Sequence, residues 1–236
     1  MKGLVRKYLK KRNLEIINSD ALKELRKKKE FSDYIQNQKY LEKDEFRYIL
    51  WLDRVYQKII KIPGHVLELG VAYGRNSILF GHQIKMNGDE LVRKYHGFDT
   101  FDGYSEESLK SDKNLSDSAW KNNSKEWVQD KIGRVGLTDI CSLHQGDILK
   151  TVPEFIQKNN GLRVALLYVD CNAYEPALKG MEYILPYMTP GGIICIDEKK
   201  QGGETKALIE FCEKNGLVFQ KDAGPFAIPA YTVIGK

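Results

Sequence analysis

Acidic side chains end two apolar runs in the second half of the chain. Asp170 ends the run 164–170, and Asp197 ends the run 193–197 with Glu198 directly after it. If these runs are neighbouring strands, the carboxylates converge at one edge of a pocket, where they cannot all stay ionised cheaply. Either one of them binds a proton, or a hard cation such as Mg²⁺ or Ca²⁺ lies among them with oxygen ligands. The pattern predicts a divalent-metal site, and the alternative is that one or two of these residues cap helices or anchor loops.

A glycine-containing turn follows an earlier apolar run. Gly70 and Gly74 allow the backbone to turn tightly and to approach a ligand, and Ser77 falls in the first turn of the next helix. The spacing is neither G-x-G-x-x-G nor a P-loop, which disfavours dinucleotides and nucleoside triphosphates. Glu68, with Tyr73 in the same segment, suits a cationic ligand such as the amino group of a sulfonium amino-acid cofactor. The alternative is a strand-to-helix turn without a ligand.

Two further strand ends carry acidic residues. Asp99, followed by Thr100, is predicted to accept hydrogen bonds from both ribose hydroxyls of a nucleoside. Gly146 and Asp147 end the third strand, where a carboxylate could read the exocyclic amine of adenine. The alternative for Asp147 is that it caps the helix that follows.

These side chains take their positions from strands that alternate with helices. Beyond residue 63, helical patterns separate short apolar runs at 66–71, 96–101, 140–143, 164–170 and 193–197. Such alternation predicts a parallel sheet covered on both faces, with ligands at the carboxyl ends of its strands. Two final strand-like runs, 217–221 and 231–234, predict an antiparallel edge. The predicted fold is α/β and Rossmann-like, with a mostly parallel seven-stranded sheet that carries an antiparallel edge strand.

Residues 1–62 are predicted to form a helical N-terminal arm or lid, and residues 63–236 the main domain. Apolar residues between 46 and 60 recur at near-helical spacing up to Pro63. Basic residues cluster at 2–12 and 26–29. They could contact phosphates or an anionic membrane surface, and the alternative is a solvated helix face.

Composition narrows the class of protein. The 236 residues include four cysteines, none at C-x-x-C spacing, which fits neither a disulfide framework nor a structural zinc site. No apolar run approaches the roughly 18 residues of a transmembrane helix, and the charged N-terminus lacks the apolar stretch of a signal peptide. We therefore expect a cytoplasmic protein. No RNA-binding module is recognisable, so a nucleic acid is not an expected partner.

Five segments, in this order, resemble the macrocin O-methyltransferase family. They are Glu68-x-Gly70-Val-x-x-Gly74-x-x-Ser77, Gly97-Phe-Asp99-Thr-Phe-x-Gly103, Asp170-x-x-x-Tyr174-Glu175, Pro190-Gly-Gly-x-Ile-x-x-Asp197-Glu198 and Gly203-Glu-Thr-Lys-Ala207. The resemblance covers about 66–211 and leaves out the arm. It implies a methyltransferase fold that binds S-adenosylmethionine and a divalent metal, usually Mg²⁺. The family's metal-binding acids fall here on Asp170, Asp197 and Glu198.

The resemblance also implies an acceptor and an assembly. Members of this family methylate hydroxyls of deoxysugars on natural products, so we expect a small-molecule acceptor, a sugar first, and a homo-oligomer. Two departures bear on specificity. The family usually has Asp-x-Asp where this chain has Asp170-Cys-Asn172, and Asp-Asp-Tyr where it has Asp197-Glu198-Lys199.

The resulting hypothesis is an S-adenosylmethionine-dependent O-methyltransferase with a metal that orients the acceptor. The general base is either His144, whose imidazole has a pKa near neutrality, or Asp170, which would also be a metal ligand. A structural histidine in a strand is the alternative for His144. The competing functions are methylation of an amine, a phenol or RNA, and a non-catalytic homologue that only binds the cofactor.

Overall fold

The structure is a computed structural model that describes residues 43–111, 115–116, 120–121, 123–196, 202–221 and 230–235. Most of the predicted N-terminal arm, up to residue 42, lies outside the described residues. Asp197 and Glu198 also lie outside them.

Helices and strands alternate along the described chain. The helices are α1 Lys43–Ile59, α2 Arg75–Met86, α3 Glu106–Ser111, α4 Lys125–Arg134, α5 Ile148–Lys158, α6 Tyr174–Ile184 and α7 Gly203–Asn215. The strands are β1 His65–Leu69, β2 Tyr95–Asp99, β3 Cys141–Gln145, β4 Val164–Val169, β5 Met188–Ile196, β6 Gln220–Lys221 and β7 Ala230–Val233. None of the described helices is both long enough and apolar enough to cross a membrane.

The strands form one seven-stranded sheet in the order β3-β2-β1-β4-β5-β7-β6. The five strands from β3 to β5 are parallel, and β7 pairs antiparallel with both β5 and β6. The predicted fold is confirmed, and the reversed strand is β7, second from the edge. The chain runs outward from β1 to β3 and then returns to β4, so the strand order reverses between β1 and β4. Ligands of open α/β sheets bind at such a reversal, outside the carboxyl ends of the strands.

Both faces of the sheet are buried under helices, as a parallel sheet requires. In β1, Val66 packs in the core beneath α1, α2 and α4, whereas Leu67 and Leu69 pack in the core beneath α5, α6 and α7. Alternation along one strand therefore divides the apolar residues between two cores. Glu68 lies on the face of Val66, which places a carboxylate inside the first core.

Helix α1 covers the first core with one continuous apolar face. Its buried residues recur at helical spacing and are Tyr48, Trp51, Leu52, Val55, Tyr56 and Ile59. The helix ends where the predicted period ends. The guanidinium of Arg93, before β2, donates to the carbonyls of Ile59 and Ile62 at 3.1 and 2.7 Å. These bonds hold the end of α1 and the turn after it against the segment before β2.

Candidate active site

A cavity of about 820 Å³ opens at the carboxyl ends of the parallel strands. Its size lies in the range of small-molecule sites, roughly 300 to 1,000 Å³. It spans the reversal of strand order between β1 and β4. Among the residues predicted from sequence, it is lined by Gly70, Tyr73, Asp99, Thr100, Asp147 and Asp170.

The turn from β1 to α2 needs both of its predicted glycines. Gly70 has φ +90°, and a Cβ there would lie 2.1 Å from the backbone oxygen of Asp170. Gly74 has φ +79° and precedes α2, and a Cβ there would lie 2.4 Å from a methyl group of Val128. Gly70 brings the β1 and β4 tips together, while Gly74 lets α4 pack against the turn.

The carboxylate of Asp99 joins the tip of β2 to that turn. Oδ2 accepts hydrogen bonds from the backbone N–H groups of Val71 and Ala72 at 2.7 and 2.8 Å, and Oδ1 accepts one from Phe101 at 2.7 Å. The hydroxyl of Thr100 also lies 3.5 Å from Oδ1, but its single proton is donated to the nearer carbonyl of Gly103. A carboxylate offers about four acceptor positions, so Asp99 keeps capacity for a donor in the cavity. A ribose hydroxyl is a donor of that kind.

Asp147 caps the helix that follows it, which was the alternative considered for it, and it also borders the cavity. Its Oδ1 accepts from the N–H of Leu149 at 2.9 Å and so caps α5, while its side chain also borders the cavity. Gly146 lies behind the lining with φ +134°, and its N–H donates to the backbone oxygen of Asp99 at 2.9 Å. The β3 tip is thereby held against the β2 tip.

The loops at these strand ends hold unusual backbone conformations. Among the described residues, those other than glycine with positive φ are Ala72, Phe101, Trp120 and Asn172, with φ between 46° and 65°. Each such residue costs about 1–2 kcal/mol, which the surrounding contacts must offset. Three of the four line the cavity, and Phe101 lies just beyond Asp99 and Thr100. Strain of this kind is typical of functional sites.

The structure corrects the positions expected for Glu68 and Ser77. Both side chains are fully buried beneath the cavity instead of lining it. Ser77 donates to the hydroxyl of Tyr95 at 2.8 Å, and Tyr95 donates to Glu68. Burial, together with the charge of Glu68, raises the pKa of Tyr95 well above its usual value. The alternation of β1 accounts for the difference, because it turns Glu68 into the first core.

His144 is also absent from the described lining of the cavity. Its ring stacks on Phe98 with centroids 4.7 Å apart, and its Nε2 lies 3.3 Å from Nδ1 of His96. Burial, with Lys125 and Lys158 nearby, lowers the pKa of His144 to about 4. The expected general base is therefore an uncharged imidazole packed among aromatic rings.

Asp170 borders the cavity on the side opposite Asp99 and Asp147. Its N–H donates to the carbonyl of Leu69 at 2.7 Å, which extends the β1–β4 pairing by one residue. Its Oδ2 accepts from the side-chain amide of Asn76 at 3.1 Å. Asn172, also in the lining, has φ +56° and donates its N–H to the carboxylate of Glu204.

The predicted metal site lies only partly within the described residues. Asp170 and Asn172 supply oxygen donors of the kind that Mg²⁺ prefers. In β5, Ile196 pairs with Val169, so the strand ends beside Asp170. Asp197 and Glu198 follow outside the described residues, and within those residues no group of three acidic, histidine or cysteine side chains could hold a metal.

Two aromatic residues that were not predicted, Tyr104 and Trp120, line the same cavity as Tyr73. Tyr73 lies 5.7 Å from Trp120 and 5.8 Å from Trp127 between ring centroids, and we name these three residues the aromatic rim. Trp120 donates its indole N–H to the hydroxyl of Tyr104 at 3.1 Å, and both rings line the cavity. The polar composition of residues 104–125 concealed Tyr104 and Trp120, although a tryptophan in so polar a segment was a usable signal.

Comparison with known proteins supplies the class. Calicheamicin methyltransferase CalS11 superimposes with a TM-score of 0.73 at 21% identity, over 95% of this chain and 96% of that one. The O-methyltransferase NovP gives 0.69 at 18% identity over 80% of each chain. TomG from Streptomyces achromogenes, an O-methyltransferase solved with S-adenosylmethionine, gives 0.52 at 13% identity over 77% and 78%. At such identities the likeness establishes a shared fold.

Residues 67–198 match the family model of the methyltransferase domain, which is more than half of the chain. The chain belongs to this methyltransferase family. No curated protein matches it in sequence. The resemblance to the macrocin O-methyltransferases is finer than this match and stays a prediction.

Proposed function

We propose that this protein transfers a methyl group from S-adenosylmethionine to a hydroxyl of a small molecule, with a sugar as the first acceptor class to test. The observation that carries the proposal is Asp99. Its carboxylate holds the β1–α2 turn through two backbone N–H groups and still borders the cavity with acceptor capacity left. Gly70 and Asp147 border the same cavity, so the strand ends of β1, β2 and β3 all face the space where the nucleoside would bind.

The names of structural neighbours support an oxygen acceptor. CalS11 is described as a TDP-rhamnose 3'-O-methyltransferase and NovP as an O-methyltransferase. These descriptions belong to those proteins, and the shared fold is the reason to test this protein for methylation of a hydroxyl.

In the proposed mechanism, the Asp99 side of the cavity binds the cofactor and the Asp170 side binds the acceptor. Bound S-adenosylmethionine supplies a methyl group activated by its sulfonium. Asp99 accepts the ribose hydroxyls, and Gly70 allows close approach to the β4 tip. Asp170 lies across the cavity, where its carboxylate orients the acceptor hydroxyl and takes its proton as the new C–O bond forms and the S–C bond breaks. Such positioning supplies much of the rate of a two-substrate reaction. We favour Asp170 over His144 as the base because only Asp170 lines the cavity.

We also propose that Asp170, Asp197 and Glu198 hold a divalent cation, Mg²⁺ first. The cation would polarise the acceptor oxygen. Asn172 replaces one carboxylate of the family pattern with a neutral oxygen donor, so we expect weaker binding than in a site with more acids. Calorimetric titration with Mg²⁺ tests this without turnover. Binding that Asp170→Asn weakens supports the site, and identical binding by wild type and variant contradicts it.

The function is tested by incubating the protein with S-adenosylmethionine, Mg²⁺ and a panel of deoxysugars, phenols and amines, and by detecting methylated products by mass spectrometry. Methylation of a hydroxyl supports the proposal. Methylation of an amine alone would move the function to nitrogen. Cofactor binding with no methylated product would favour the non-catalytic alternative.

A further inference from the structure

A buried polar network runs from the floor of the cavity into the first core. Asn76, in the first turn of α2, is 4% exposed and lies at its centre. Its Nδ2 donates to Oδ2 of Asp170 at 3.1 Å and to Oε1 of Glu68 at 2.7 Å. Its Oδ1 accepts from the hydroxyl of Tyr48 at 2.7 Å. One amide therefore contacts a cavity carboxylate, a buried carboxylate and a residue of α1.

The donors and acceptors in this network fix its orientation. Ionised carboxylates only accept hydrogen bonds, so the amide nitrogen of Asn76 must face Asp170 and Glu68, and its oxygen must face Tyr48. The single proton of Tyr48 is then used on Asn76. Tyr168, whose hydroxyl lies 3.1 Å from that of Tyr48, is therefore the donor in their pair. Reversing the amide would break three contacts at once, so the network holds Asn76 in one rotamer.

We propose that Asn76 is a positioning residue for Asp170, and that Tyr48 on α1 holds Asn76 in place. This inference rests on the proposed role of Asp170 in methyl transfer. The Asp170 carboxylate is half-buried at the cavity, and the amide of Asn76 fixes the direction of one of its oxygens. Without the amide, this oxygen loses the hydrogen bond that sets its direction.

Tyr48 extends the site beyond the methyltransferase domain. The family model covers residues 67–198, whereas Tyr48 precedes it in the chain. Tyr48 is a buried residue of α1, 1% exposed, and its hydroxyl is only two hydrogen bonds from Asp170.

The chain provides a matched control on the same helix. Tyr56 is also buried in α1, and its hydroxyl donates to Asp89 at 2.9 Å, with Arg93 beside it. Tyr48→Phe and Tyr56→Phe each remove one buried hydroxyl from α1. A purely structural role predicts similar consequences for both, whereas the inference assigns an effect on methyl transfer to Tyr48 alone.

The experiment measures kcat, the KM of each substrate and the thermal midpoint for Asn76→Ala, Tyr48→Phe, their double variant and Tyr56→Phe. We expect Asn76→Ala to lower kcat by about 10- to 100-fold, as expected for losing a hydrogen bond to a charged group. Tyr48→Phe should lower kcat by about 3- to 10-fold. The KM for S-adenosylmethionine should stay within about twofold, because the contacts of Asp99 are untouched. In the double variant the Tyr48 effect should vanish, since both act through one amide.

A crystal structure of Asn76→Ala supplies a readout that does not need turnover. We expect the Asp170 carboxylate to leave its present position, and the same structure of Tyr56→Phe to show it unmoved. Equal losses of kcat in the two Tyr→Phe variants, or an unmoved Asp170 in Asn76→Ala, would overturn the inference. Failure of the proposed function is seen separately, as wild-type protein that transfers no methyl group.

Discussion

The cavity has two sides that are built by different means. The β1–β2 side, with Gly70 and Asp99, is fixed by backbone: positive φ, a close approach between chains and carboxylate bonds to N–H groups. The β4 side, with Asp170, is oriented by the side chains of Asn76 and Tyr48. Backbone contacts tolerate little change, whereas side-chain contacts can be altered one at a time. Substitutions on the first side should therefore cost folding and cofactor binding, and those on the second should cost turnover.

The largest effect is expected for Gly70→Ala. Its Cβ would meet the Asp170 backbone, which cannot swing aside as a side chain can. We expect the free energy of unfolding to fall by at least about 3 kcal/mol, and we expect cofactor binding to be lost. Gly88→Ala is the control, because Gly88 has φ +71° with nothing within 4 Å of its Cβ. It should cost only about 1–2 kcal/mol from the left-handed conformation. Equal losses in denaturant titrations would show that the close approach is unimportant.

Asp170→Asn should affect turnover while sparing the fold. We expect kcat to fall by about 100-fold or more, as when a general base is removed, with S-adenosylmethionine affinity within about twofold. Asp139→Asn, an exposed carboxylate outside the cavity lining, should leave both unchanged. A large loss of cofactor affinity in Asp170→Asn, measured by calorimetry, would erase the distinction between the two sides.

Trp120→Ala tests the aromatic rim. Trp120 lines the cavity and bonds to Tyr104, so we expect it to contact the acceptor and its loss to raise the acceptor KM by about tenfold. Trp127→Ala should change the acceptor KM little, because Lys131 Nζ already lies 3.3 Å from the centroid of that ring. Steady-state kinetics with the acceptor from the screen decides between them. An unchanged acceptor KM in Trp120→Ala, with a raised KM for S-adenosylmethionine, would place this ring against the cofactor.

The smallest effect concerns acid stability of the β2–β3 region. Burial, with His144 and His65 nearby, lowers the pKa of His96 to about 3, and burial lowers that of His144 to about 4. In the unfolded chain both imidazoles have a pKa of about 6.5, so below that pH the unfolded state binds more protons than the folded state. We expect the thermal midpoint to fall as pH decreases from about 6.5 toward 4, and His144→Phe to reduce this slope. A slope unchanged in His144→Phe would show that the cluster does not control acid stability.

Sequence patterns predicted the parts of the fold and of the site that depend on backbone conformation. The mostly parallel seven-stranded sheet, the glycine turn and the position of Asp99 at a strand end follow from periodicity, turn chemistry and the ligand rule for open sheets. Three positions were harder. Glu68 was expected to face the ligand because the alternation along β1 was not applied to it. His144 packs in an aromatic cluster whose members are distant in sequence. Asn76 was overlooked because its partners come from α1, β1 and the β4 tip. Such contacts exist only in the folded chain.

The central claim is that Asp99 lies in a site for S-adenosylmethionine. Calorimetric titration of the protein with S-adenosylmethionine and its demethylated product tests it most directly, using wild type, Asp99→Asn and Asp130→Asn. Asp130 is an exposed helix residue paired with Arg134, so its variant controls for the loss of a carboxylate. We expect micromolar binding by wild type and Asp130→Asn, and a loss of at least about tenfold in Asp99→Asn, measured well below the thermal midpoint of that variant so that all three proteins are folded. Absence of binding by wild type, or equal binding by all three proteins, would contradict it.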